Sequence, residues 1–223
     1  SAPLSYIMYL CMNQKDPNLA KPQVRQAIKW AIDYDGIQKN IVPTTYDVQQ
    51  SFVPKGMMGA ISDRPFKKDP AKAKALLAEA GLPAGFEATL KLPPPAYARR
   101  GGEVVAAQLA QAGIRVKIEP VEWAQWLQAV FRGRDYDLTI VSHTEPMDIE
   151  IYSRDDYYFG YAGDRFKAVM TAIDAAADDG QRTKLFGDAK RILAEDAVNA
   201  FLFQLPKLGV WNRNLTGVWE NSP

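Results

Sequence analysis

The chain has 223 residues, 47% hydrophobic and 24% charged, enough apolar material for one large domain or two small ones and too much for a disordered segment. Twenty-seven basic and 26 acidic side chains give a net charge of +1 with no long block of one sign. That excludes the electrostatic footprint of a nucleic-acid binder. No run of about eighteen apolar residues is present, so neither a membrane span nor a leader is expected within it.

Residues 6–12, YIMYLCM, are apolar at nearly every position, the pattern of a short strand buried on both faces. The single cysteine, Cys11, lies in this run and is expected to be a buried, inert thiol. After a turn at Asp16, Pro17 and Asn18, the apolar residues Val24, Ala27, Ile28, Ala31 and Ile32 recur with helical spacing behind Pro22. A second, short helix is expected over 37–42, beginning near Asp35. Between 43 and 68 the periodicity is lost and prolines and glycines recur, in a segment long enough to suggest a binding element or a linker.

Asp69 and Pro70 read as the cap and first turn of a helix that buries Ala73, Leu76, Leu77 and Ala80 and stops at Gly81. FEATLKL, 86–92, alternates as a strand with one solvated face, and Pro93, Pro94 and Pro95 end it. A helix over 104–112, a strand IRVKI over 114–118, and a helix over 123–132 with Leu127, Val130 and Phe131 inward follow. A strand over 136–142 comes next. Two helices then bury Phe166, Val169, Met170 and Ile173, and Leu185, Phe186, Ala189, Ile192 and Leu193, parting near Gly180. The runs 201–205 and 208–211 are strand-like, interrupted by Pro206. Alternating strands and helices predict an α/β fold, in which ligands sit at the carboxyl ends of strands.

Residues 142–161, SHTEPMDIEIYSRDDYYFGY, fit neither a helix nor a simple strand. The stretch holds the only histidine, His143, the acids Glu145, Asp148, Glu150, Asp155 and Asp156, and the aromatics Tyr152, Tyr157, Tyr158, Phe159 and Tyr161. At a cleft its carboxylates would attract a cation or bind sugar or peptide groups, with aromatic faces for apolar contact. As a surface loop, the acids would be solvated and the aromatics would pin it to the core. The candidate ligand contacts are His143, Glu145, Asp148 and Glu150, with Tyr152 and Tyr157 as stacking surfaces. Tyr97 and Arg99 join them from a second strand end. Arg99 and Arg100 fit an exposed face equally well, and Trp30, Trp123 and Trp126 read as core.

VRQAIKWAID, 24–33, resembles the extracytoplasmic solute-binding proteins of ABC importers, in the dipeptide and oligopeptide class. DPAKAKALLAEAG, LAQAGIRVKIEPVEWAQWL, YDLTIV and RILAEDA follow in the order of that family. The resemblance implies a periplasmic-binding-protein-like lobe, a mixed, mainly parallel sheet flanked by helices. Residues 1–13 would be a hinge-crossing strand from a missing first lobe, 14–200 the second ligand-binding lobe, and 201–223 the returning hinge strand and carboxy-terminal segment.

It further implies a small-molecule solute, an ABC permease in the membrane and the missing amino-terminal lobe as partners. The expected setting is the periplasm or a lipid anchor outside the cytoplasmic membrane. A monomer without cofactor, resident metal or enzymatic activity is expected. Peptide-binding members carry a motif like Trp-x-Ala-Asp-Tyr-x-Asp-Pro after the last of these strands, whose first aspartate pairs with a peptide ammonium. Here Ser142, His143, Thr144, Glu145 and Pro146 follow Val141, so only the acid-proline pair matches. The two rival readings are a carboxylate-pair glycosidase built on Glu145 with Asp148 or Glu150, and a protein-interaction module. No G-x-S-x-G, Gly-rich phosphate loop or H-E-x-x-H favours catalysis.

Overall fold

One central strand organises the chain. β1 (Ala2–Met12) is flanked on both sides, and residues 7–12 are each 2% exposed or less. In the computed structural model, which describes residues 2–41, 47–53, 60–143, 149–207 and 211–217, six strands form one sheet. These are β1, β2 (Asp47–Val48), β3 (Phe86–Leu92), β4 (Ile114–Pro120), β5 (Leu138–His143) and β6 (Asn199–Lys207), in the order β2-β6-β1-β5-β3-β4.

The period-2 alternation of β1 divides the interior. Met8, Leu10 and Met12 enter a core with the helices α1 (Pro22–Ala31), α3 (Pro70–Glu79) and α4 (Ala96–Gln111). Ile7, Tyr9 and Cys11 enter a second core on the other face. That core is completed by α5 (Trp123–Gln125) with its continuation, α6 (Asp164–Asp174) and α7 (Asp179–Glu195). A further helix, α2 (Tyr34–Ile41), follows α1. The expected α/β sheet flanked by helices is therefore present.

The sheet is mixed, but its parallel pairing is confined to one half. β3 pairs parallel with β4 and β5, whereas β1 pairs antiparallel with β5 and β6, and β2 antiparallel with β6. The α4 and α5 crossovers enforce the parallel half, since parallel neighbours need a long return connection. β6 runs on through Pro206, which faces Pro3, so this proline does not break the strand; Trp211 lies beyond it, exposed, and 208–210 fall outside the described residues.

α4 begins at Ala96, eight residues before the expected start, with Pro95 as its cap residue. The proline run thus ends β3 and starts the helix at once, its missing N–H groups lying where a helix leaves donors unpaired. Gly102 lets this helix approach β3 closely, since a Cβ there would fall 2.4 Å from the Leu92 side chain. The helix over 123–132 winds differently from expectation. From Trp126 to Arg132 it is a π-helix, closed by Gly133 N–H donating to Gln128 O at 2.9 Å. Residues four apart line up in rows in this winding. Trp126 and Val130 form the buried row, while Leu127 and Phe131, expected inward, remain 46% and 40% exposed.

The two helical layers are joined by cations of α1 that cap the carboxyl end of α7. Arg25 donates to Ala197 O at 3.1 Å and Asp196 O at 2.8 Å, and also to Leu19 O and Ala20 O. Lys29 Nζ donates to Ala194 O at 3.1 Å and lies 4.1 Å from the Phe66 ring centre. Positive charge at a helix carboxyl end is favourable. Yet Lys29 is 1% exposed, and burial, with Arg25 nearby, lowers its pKa to about 7.

An unfolded chain keeps this lysine protonated up to about 10.5, so unfolding takes up a proton above pH 7 and stability rises with pH. Lys190, also buried and lowered to about 8, acts in the same direction. We expect urea denaturation midpoints to increase from pH 7 to about pH 8.5. The increase should shrink in Lys29→Met. An equal slope in the variant would exclude Lys29 as its source.

Candidate functional site

The strand directions define one end of the sheet. β3, β4, β5 and β6 finish there and β1 starts there, with Ala2 beside Lys207 and Ile7 beside His143. Three connections leave this end: the proline run into α4, 121–122 into α5, and the stretch after β5. Strand carboxyl ends in such sheets are where loop side chains converge on ligands.

The structure brings Tyr97 to the end of β5, where its hydroxyl accepts from Ser142 N–H at 3.3 Å. Burial raises the pKa of this hydroxyl, keeping it neutral. The Ser142 hydroxyl beside it is enclosed and has no hydrogen-bond partner among the described residues. Arg99, two residues beyond Tyr97, pairs through Nη2 with Glu122 Oε1 at 3.2 Å, joining the connections after β3 and β4. Both side chains are largely exposed, so the pair is worth little to stability, about 0–1 kcal/mol. Its consequence is local neutrality.

Trp123 was read as core, but it is 42% exposed at the carboxyl end of β4. Its support is buried: Trp126 lies edge-on at 5.7 Å and donates from Nε1 to Thr139 Oγ1 at 2.9 Å, and Thr139 in turn donates to Lys91 O. Glu122 and Gln125 form a reciprocal capping box under the same turn. The sequence signal for Trp123 was its place, an aromatic directly after a strand's carboxyl end, more than its helical spacing.

Of the stretch after β5, His143 closes the strand opposite Ile7. Its side chain, and all of Glu145 and Asp148, lie outside the described residues. Glu150 is exposed on a 3₁₀ turn (Ile149–Ser153) at the rim of a hollow of about 300 Å³ shared with Met170, Asp174, Arg182 and Phe186. Tyr157 is half-buried among Phe131, Tyr158 and Phe159, with the Arg154 guanidinium 6.0 Å above its ring.

Tyr152 requires a correction. It is 0% exposed, packed between Phe52, Phe159, Phe166 and Phe201, with its hydroxyl accepting from Asn199 Nδ2 at 3.2 Å. No ring face is left for stacking on a ligand, because the aromatics of this stretch fill the second core. Cys11 is likewise enclosed, 3.3 Å from the Tyr136 hydroxyl, and burial pushes its thiol up to about 12, far from nucleophilic.

A cavity of about 460 Å³ lies at the other edge of the sheet, lined by Gln38, Asp47 to Gln50 and Ala60 to Arg64. The long segment between α2 and α3 forms it. Gln50 fastens that segment, its amide exchanging two hydrogen bonds with the backbone of Phe66, at 2.7 and 2.9 Å.

Residues 1–165 match the family model of the bacterial extracellular solute-binding proteins, family 5, middle region. The chain belongs to that family. It is 35% identical over 131 residues to the dipeptide-binding protein of Escherichia coli strain K12, covering 56% of this chain and 24% of that protein. It is 26% identical over 229 residues to the probable D,D-dipeptide-binding periplasmic protein DdpA of the same organism, covering 95% of this chain and 43% of that one. Among solved structures, the Helicobacter pylori periplasmic binding protein DppA in complex with the peptide STSA superposes with a TM-score of 0.80 at 25% identity, over 91% of this chain and 42% of that chain. The oligopeptide-binding protein AppA of Bacillus subtilis shares the fold, with a TM-score of 0.83 at 22% identity. Each match takes in less than half of the relative's length.

The core placement of Tyr152 yields an expected outcome. Tyr152→Ala should destabilise the chain by about 3–5 kcal/mol, the scale of a large aromatic removed from a core. Tyr157→Ala should cost distinctly less. Denaturant unfolding of both variants checks this, and similar small losses would return Tyr152 to the surface.

Proposed function

We propose that this chain is the carboxy-terminal lobe of a two-lobed solute-binding protein that captures a small solute and delivers it to the membrane permease of an ABC importer. The observation that carries the reading is the gathering of Tyr97, Arg99, Glu122, Trp123 and the end of β5 at the one sheet end where β1 enters and β6 leaves. Two adjacent strands crossing at that end suit a hinge. Hinge motions are carried by a few residues at element ends, here at the pairs Ala2 with Lys207 and Pro3 with Pro206.

In this reading, His143, Glu145 and Asp148 reach the solute from the stretch after β5, with Tyr97 and Arg99 from the start of α4. Trp123 takes the stacking role first given to Tyr152. The solute is peptide-like or another polar or cationic molecule, a range supported by the peptide-binding relatives and by the acids of 145–150. The first lobe supplies the opposite wall. Closure is decisive, because a carboxylate 4 Å from a cation is worth about 1 kcal/mol in water and about 4 at an effective dielectric near 20. The protein works as a monomer outside the cytoplasmic membrane, in the periplasm or on a lipid anchor, and carries out no catalytic step.

A thermal-shift screen of the intact two-lobed protein against peptides, sugars, opines and metal ions tests this. A true solute at a hundredfold excess over its Kd should stabilise by about 2.7 kcal/mol. Glu145→Gln and Asp148→Asn should each weaken binding of a cationic solute severalfold. No stabilisation by any compound would refute the transport reading; unchanged affinity in both variants would move these two acids to solvent.

A further inference from the structure

Among the described residues, five large apolar side chains remain well exposed: Trp123, Leu127, Phe131, Trp211 and Leu215. The first three are four residues apart and form one row along α5 and its π-helical continuation, at 42%, 46% and 40% exposure. The row starts at the sheet end described above, because α5 leaves the carboxyl end of β4. It lies beside the buried row of Trp126 and Val130, so this segment is apolar on an outward face as well as on its inward one.

The outward row is held rigidly. Trp123 rests edge-on against Trp126, which is hydrogen-bonded to the sheet, and Phe131 packs on Tyr157 and Tyr158 at ring distances of 5.9 and 5.3 Å. Covering such a row removes apolar area from water and orders few side chains, the combination that favours binding. The charges nearest its start, Arg99 and Glu122, pair with each other at 3.2 Å, so that pair presents little net charge to an ionic group.

Resting on the solute-capture reading above, we infer that the solute carries a bulky apolar or aromatic group that packs along Trp123 and Leu127. Its polar groups meet the sheet end at Tyr97 and Ser142, and its apolar flank meets the helix. The row is thus a specificity surface: it selects among solutes that share a polar backbone by the size of their apolar part. Coverage by the first lobe alone is the competing account, and it predicts no such selection.

The test is isothermal titration of the intact two-lobed protein with two dipeptides of identical backbone, leucyl-phenylalanine and alanyl-alanine, alongside the sugar and metal panel. Leucyl-phenylalanine should bind at least about tenfold more tightly. Trp123→Ala and Leu127→Ser should each lower its affinity about tenfold more than that of alanyl-alanine, the scale of truncating an aromatic or aliphatic anchor. Equal affinity of the two dipeptides for the wild-type protein, or an unchanged preference in both variants, overturns the inference and leaves transport standing. A response confined to sugars or metal ions does the same. Silence across the whole panel overturns the transport reading, and the inference falls with it.

Discussion

The burial of β1 on both faces over residues 7–12 is the constraint from which the rest of the structure follows. A strand that shows water almost nothing must be paired on both edges and covered on both sides. Its alternation assigns Met8, Leu10 and Met12 to one helical layer and Ile7, Tyr9 and Cys11 to the other. A slip of one residue would exchange the two sets, setting the Tyr9 hydroxyl among aliphatic side chains and removing its 2.8 Å hydrogen bond to the Tyr158 hydroxyl. The register of β5 on β1 is fixed by the same demand. With it is fixed the height at which Ser142 and His143 leave the sheet.

Most of this frame was legible in the amino-acid sequence because it rests on periodicity. The doubly apolar run of β1, the 3.6-residue pattern behind Pro22, the capped helix after Asp69 and the alternation of FEATLKL each have one physical solution, and the structure adopts it. The failures have a common cause, since they depend on what a side chain meets in three dimensions. The proline run announced the end of β3, but its service as the entry to α4 needs the helix to find Leu92 beneath Gly102. The π-winding after Trp126 goes with an indole hydrogen-bonded to Thr139 across the sheet, a contact thirteen residues away that no local pattern encodes. Tyr152 and Tyr157 looked equivalent in a stretch rich in tyrosine. One is enclosed by four phenylalanines drawn from four separate segments, and the other is not.

The candidate site inherits this division. Its position follows from strand direction, which the β-α-β order implied, whereas its most exposed aromatic surface follows from helix winding, which that order did not. Trp123 and Trp126 illustrate the difference. Three residues apart, they were both read as core, yet only Trp126 has a partner for its indole N–H in the sheet. Trp123 is carried on top of it, fixed in place but open, a combination that suits contact with something outside this chain.

Stability and exposure are also separated in space. A buried polar network, in which Arg25 and Lys29 cap α7, draws the two helical layers together near Ala194 to Ala197, just before β6 begins beside Cys11. At the same end, Asn13 donates to the carbonyl oxygens of Arg134 and Tyr136 and fastens the entry to β5. These bonds lie at the opposite end of the sheet from Tyr97, Arg99 and Trp123. A chain braced at one end tolerates at the other an exposed ion pair of small worth, an enclosed serine hydroxyl without a described partner and the uncovered ring of Trp123. Each of these features is unfavourable or indifferent for this chain alone. Their gathering on the side where β1 enters and β6 leaves is therefore more economically explained by a surface that meets a second body there than by folding requirements.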